Sequence, residues 1–71
     1  MLSDEALISY DRLWKTLIDR RMKKKNLQAA AHISSAVIAK MGRREPVSLE
    51  TLVKICRTLH CELEDIVRII P

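Results

Sequence analysis

The chain has 71 residues, 48% of them hydrophobic, with 1 glycine, 2 prolines and a formal net charge of +4. That length holds one domain and buries only about 60% of its unfolded surface, so the core has to be apolar and economical. The aliphatic content excludes a disordered chain, no apolar run approaches the roughly 18 residues needed to cross a bilayer, and Asp4 and Glu5 stand where a secretory leader carries bases. Leu and Ile dominate, Phe is absent, and the strand-favouring aromatics reduce to Tyr10 and Trp14, so an all-α fold is expected. Cytoplasm is the expected compartment, and Cys56 and Cys61 suit a reducing one without asking for a disulfide.

Residues 1–8 carry no clear period and are expected to form an N-terminal arm, with the domain occupying residues 9–71. Ser9 can cap a first helix, with Asp11 in the first turn where the helix dipole favours an anion. Tyr10, Leu13, Trp14, Leu17 and Ile18 make its apolar stripe, which ends near Arg21. Lys24 to Ala31 reads as a short second helix with Leu27, Ala30 and Ala31 inward. After His32-Ile33-Ser34, a third helix runs from Ser35 to Met41, capped by Ser34 and stopped by Gly42. Ser48 caps a fourth, whose expected buried stripe is Leu49, Leu52, Val53, Cys56 and Leu59. Glu62 to Val67 suggests a short fifth helix with Leu63 and Ile66 inward, before the apolar tail Ile69-Ile70-Pro71.

Charge is distributed unevenly along this pattern. Arg20, Arg21, Lys23, Lys24, Lys25, Lys40, Arg43 and Arg44 fall within residues 20–44, a window that contains no acid. The remaining positions carry 5 of the 13 bases and all 9 acids, so a +8 segment is flanked by ends summing to −4. Such a field attracts a polyanion, nucleic acid first and an anionic membrane surface second.

The second helix, the three-residue turn and the third helix lie inside that basic window. Small residues at Ser34, Ser35 and Ala36 let the leading end of the third helix approach a base edge or phosphate, and an α-helix fits the major groove. Leu27-Gln28-Ala29-Ala30-Ala31-His32-Ile33-Ser34-Ser35-Ala36-Val37-Ile38-Ala39-Lys40-Met41 resembles the helix-turn-helix of the XRE family, the Cro and phage-repressor type, through the joint spacing of Leu27, Ile33, Ile38 and Met41. Residues 9–14 before it and 47–52 after it look like a compact branch of that family, so the resemblance covers about residues 8–71.

The resemblance implies a compact five-helix domain with a recognition helix at residues 35–41. Carried over by position, Ser35, Ala36, Val37 and Lys40 face bases, while Lys24 and Arg43 hold phosphates; the basic segment and the small residues of the turn add Lys23, Lys25, Arg44 and Ser34 as expected phosphate contacts. The chain departs from the family pattern twice. His32 stands where Gly is usual in the turn, and Lys23 stands where Ser or Thr usually caps the second helix; each change costs about 1 kcal/mol.

The function expected is a sequence-specific DNA-binding transcriptional regulator such as a repressor. One unit reads a half-site, so a homodimer or tandem binding is expected on a roughly palindromic site in double-stranded DNA, with Val67-Arg68-Ile69-Ile70 as the candidate dimer surface. No cofactor, small-molecule effector, membrane or metal is expected. Cys56, His60 and Cys61 fall short of the four ligands of structural zinc, and Cys56 fits an apolar stripe. There is no phosphate-binding glycine loop, nucleophile elbow or HExxH, so no enzyme is expected. The alternative is a protein-interaction module on the same fold, antitoxin-like or polymerase-modulating, presenting Glu50, Glu62, Glu64 and Asp65.

Overall fold

The structure is a computed structural model that describes residues 8–71. Four helices follow in order: α1 (Asp11–Asp19), α2 (Lys24–Ala31), α3 (Ser35–Gly42) and α4 (Leu49–Leu59). The expected arm lies outside the described residues apart from Ile8, which pairs with Ile69 where β1 (Ile8–Ser9) meets β2 (Arg68–Ile69) in antiparallel register. This strand pair takes up Ile69 of the expected apolar tail and joins the two ends of the described domain.

The core is one cluster. Tyr10, Leu13, Leu17, Leu27, Ala31, Ile33, Met41, Ile55, Leu59 and Ile66 are buried, with Trp14, Val37, Ile38, Leu52 and Cys56 packed partly against it. The spacing that carried the family resemblance therefore has its physical basis here. Leu27, Ile33 and Met41 are buried and Ile38 half-buried, which pins α3 against the rest of the molecule.

Each helix stops in the same way. Arg21, His32, Arg44 and His60 all adopt left-handed backbone, with φ of 57, 57, 61 and 55°. The next amide in each case bonds back to the carbonyl five residues earlier: Met22 to Leu17, Ile33 to Gln28, Glu45 to Lys40 and Cys61 to Cys56, all at 2.8–3.1 Å. These bonds satisfy carbonyls the helix ends would leave orphaned, which offsets the strain of a side chain at positive φ. Gly42 takes no part. It is the last residue of α3, not its stop, and the left-handed turn falls two residues later at Arg44.

Other expectations are corrected by packing. Ser9 is not the cap residue of α1; Tyr10 holds that position, yet the Ser9 hydroxyl still accepts the Asp11 N–H at 3.2 Å. Ile18 is 73% exposed and Ala30 is exposed, because Leu13/Leu17 and Leu27/Ala31, each four apart, set the inward directions of α1 and α2. In α4 the buried residues are Ile55 and Leu59, while Leu49 and Val53 are 64% and 45% exposed. The helix carries two adjacent apolar stripes, and packing on α2 selects the one through Ile55. The expected fifth helix is a single 3-10 turn (Leu63–Asp65) in which Asp65 accepts the Glu62 N–H at 2.8 Å. Ile66 is buried as expected, but Leu63 is 45% exposed, since the chain leaves the turn for β2 before a second turn can form.

Candidate nucleic-acid interface

The turn between α2 and α3 is built by three residues with different tasks. His32 turns the chain at φ 57°, ψ 47°. Ile33 anchors it in the core. Ser34 then extends the backbone (φ −82°, ψ 160°) and its hydroxyl accepts the Val37 N–H at 3.2 Å, capping α3. The cap satisfies one of the amides at the leading end of α3 and leaves others at that end unbonded within the helix.

Two sides of α3 differ sharply. Met41 is fully buried, and Val37 and Ile38 pack partly against the core. Ser35, Ala36, Ala39 and Lys40 are exposed. Of the expected base-facing residues, Ser35, Ala36 and Lys40 thus lie open, whereas Val37 offers only the outer part of its side chain. Ala39 shares the open face and was missed; its signal was its spacing, four after Ser35 and three after Ala36. This face carries no bulky group at its leading end.

The flanking cations are all exposed. Lys23 occupies the cap position of α2 with extended backbone. Its ammonium cannot accept a hydrogen bond, so the cap is supplied from the other direction: the Asn26 side-chain oxygen accepts the Lys23 N–H at 2.8 Å. The Lys24 ammonium sits 4.3 Å from the centroid of the Trp14 ring, a cation–π contact.

Beyond α3, Arg43 donates from Nε to Glu45 at 2.5 Å. This hydrogen bond holds the Glu45 carboxyl below the usual carboxylate range and raises Arg43. Arg44 reaches Asp11 at 3.7 Å. The two arginines are therefore paired with acids, whereas Lys23, Lys24, Lys25 and Lys40 make no ion pair among the described residues. The arginine-bearing loop is fixed from behind, because the buried Tyr10 hydroxyl donates to the Glu45 carbonyl at 2.8 Å.

Elsewhere, Leu49, Val53, Cys56 and Leu63 line an apolar groove of about 430 Å³ beside α4. Cys56 and Cys61 are free thiols, and burial, with Cys61 nearby, pushes Cys56 up to about 11. Among the described residues, no three His, Cys, Asp or Glu side chains gather where they could hold a metal, and no helix is long and apolar enough to cross a membrane.

Two helices crossing at a tight turn, the second with one slim open face and cations before and after it, define a helix-turn-helix DNA-binding domain. Residues 12–71 match the family model of the Cro/C1-type HTH DNA-binding domain, and the chain belongs to that family. It is similar to the crystal structure of the transcriptional regulator VanUg, Form II, with 42% sequence identity and a TM-score of 0.89 over 100% of this chain and 95% of that one. No sequence among curated proteins matches it.

Proposed function

We propose that this protein is a sequence-specific transcriptional regulator, such as a repressor, that inserts α3 into the major groove. Ser35, Ala36, Val37 and Lys40 read base edges, with Ala39 on the same face. Lys23, Lys24 and Lys25, together with the Ser34 hydroxyl, hold the backbone; Arg43 and Arg44 approach it on the other side of α3 with their charges engaged by Glu45 and Asp11, so the lysines carry the salt dependence. The observation that carries this reading is the open face of α3, small at its leading end, within a 25-residue window free of acids. A side chain of Lys type at position 40 suits acceptors on guanine, and a methyl of Ala suits the thymine methyl. No part of the mechanism is catalytic; it consists of placing this helix and excluding other proteins from the site, or recruiting them to it.

One helix-turn-helix reads a half-site, so the same proposal includes a homodimer on a near-palindromic operator. Ile69, 76% exposed on β2, is the apolar residue best placed to meet a second copy, and Ile69→Lys should return the protein to a monomer in sedimentation. Selection of bound duplexes from a random library tests the whole reading. It should return a defined sequence, and Lys40→Ala should lose preference at one base position by about 1–3 kcal/mol. A second reading has its own support in the groove lined by Leu49, Val53 and Leu63, which suits a partner protein. Failure to retard any duplex at low salt would favour it over DNA binding.

A further inference from the structure

Lys24 differs from its neighbours in one respect: its ammonium is already in place. Lys23 and Lys25 are exposed with no ion-pair partner among the described residues, whereas the Lys24 Nζ lies 4.3 Å from the Trp14 ring centroid. Trp14 is itself held, half-buried against the core on α1. The ring is thus a held plate against which the Lys24 ammonium rests at the first residue of α2.

We propose that Trp14 is a positioning residue for DNA binding, holding the Lys24 ammonium ready for a backbone phosphate. A lysine is a flexible point charge, and ordering it at an interface costs part of what the contact returns. A lysine held against a ring through its ammonium has given up part of that freedom before DNA arrives. The contact with the ring also leaves the ammonium free to donate. Its three N–H groups point in different directions, so one side can face the ring while another meets a phosphate oxygen. The ring itself touches no nucleic acid. This inference rests on the assignment of Lys24 as a phosphate-contacting residue.

The test is a double-mutant cycle on the full chain, measured as affinity for a random-sequence duplex at two salt concentrations. Lys24→Met should weaken binding and make the salt slope shallower by about 0.9. Trp14→Leu should weaken binding about two- to tenfold, the fold-change equivalent of ordering one long side chain at an interface, with the slope unchanged. In the Lys24→Met background, Trp14→Leu should have no further effect. Trp14→Phe, which keeps a ring of weaker quadrupole, should fall between.

Thermal melts check folding, and the sole tryptophan supplies a readout that needs no change at position 14. Its fluorescence should respond to added duplex in the parent protein and not in Lys24→Met. Equal effects of the Trp14 variants in both backgrounds would overturn the positioning role alone, as would tighter binding by Trp14→Leu, which would mean that the ring withholds the ammonium. If Lys24→Met leaves affinity and slope unchanged, the phosphate assignment fails and the positioning role falls with it.

Discussion

The ion pairs beside α3 set a number that can be measured. Five cations are candidates for phosphate contact: Lys23, Lys24, Lys25, Arg43 and Arg44. Each phosphate neutralised contributes about −0.9 to the slope of log affinity against log salt. Were all five to act, the slope would be about −4.5, and affinity would fall roughly 500-fold between about 50 and 200 mM salt. Arg43 and Arg44, however, are paired with Glu45 and Asp11. If those pairs persist on DNA, only three lysines release counterions, giving a slope near −2.7 and a loss of about 40-fold over the same range. The pairing predicts the shallower value for one chain. Glu45→Gln, which removes the partner charge of Arg43, should steepen the slope by about 0.9 and tighten binding at low salt. The assay is fluorescence anisotropy with a labelled random duplex across a salt series. A slope indistinguishable from zero would refute the phosphate assignments. A slope near −4.5 in the parent protein, unchanged by Glu45→Gln, would refute the inhibitory role of the ion pairs.

Three further outcomes test how the fold is held. Gly42 is helical, without positive φ, and a Cβ there would meet nothing within 4 Å; Gly42→Ala should therefore raise stability by about 0.5–1 kcal/mol in urea melts. Ile55→Ala should cost about 2–5 kcal/mol, the loss for a buried Ile, whereas Val53→Ala, on the exposed stripe of the same helix, should cost well under half of that. Burial raises the phenol of Tyr10, the sole tyrosine, above its usual range. Its contribution to stability should be complete below the unfolded pKa of about 10 and disappear as pH rises through the folded value; ultraviolet titration of tyrosinate should show the late ionisation, and Tyr10→Phe should abolish it.

Much of this molecule is written locally. The bounds of α2 and the start of α3 follow from the Leu27, Ala31, Ile33, Ile38 and Met41 spacing and from a serine ahead of each of α3 and α4 whose hydroxyl accepts an amide at 3.2 and 3.1 Å. The exposed side of α3 follows from the same period, since a helix that buries Met41 must turn Ser35, Ala36 and Lys40 outward. The concentration of positive charge needs only a count along the chain.

What the sequence left undecided depended on contacts between distant segments. The stripe expected on α4 ran through Leu49 and Val53, and only packing on α2 turned Ile55 inward in their place. The glycine suggested a helix stop, but the turn moved to Arg44, where a hydrogen bond from Glu45 and the Tyr10 hydroxyl, 35 residues away in sequence, fix the loop. Ile8 and Ile69 have no periodicity to announce them; their pairing exists because the packed helices bring the two ends of the domain together. The same holds for the cations. A charge count treats all eight alike, whereas three-dimensional proximity gives three of them a partner: the Trp14 ring for Lys24, Glu45 for Arg43 and Asp11 for Arg44.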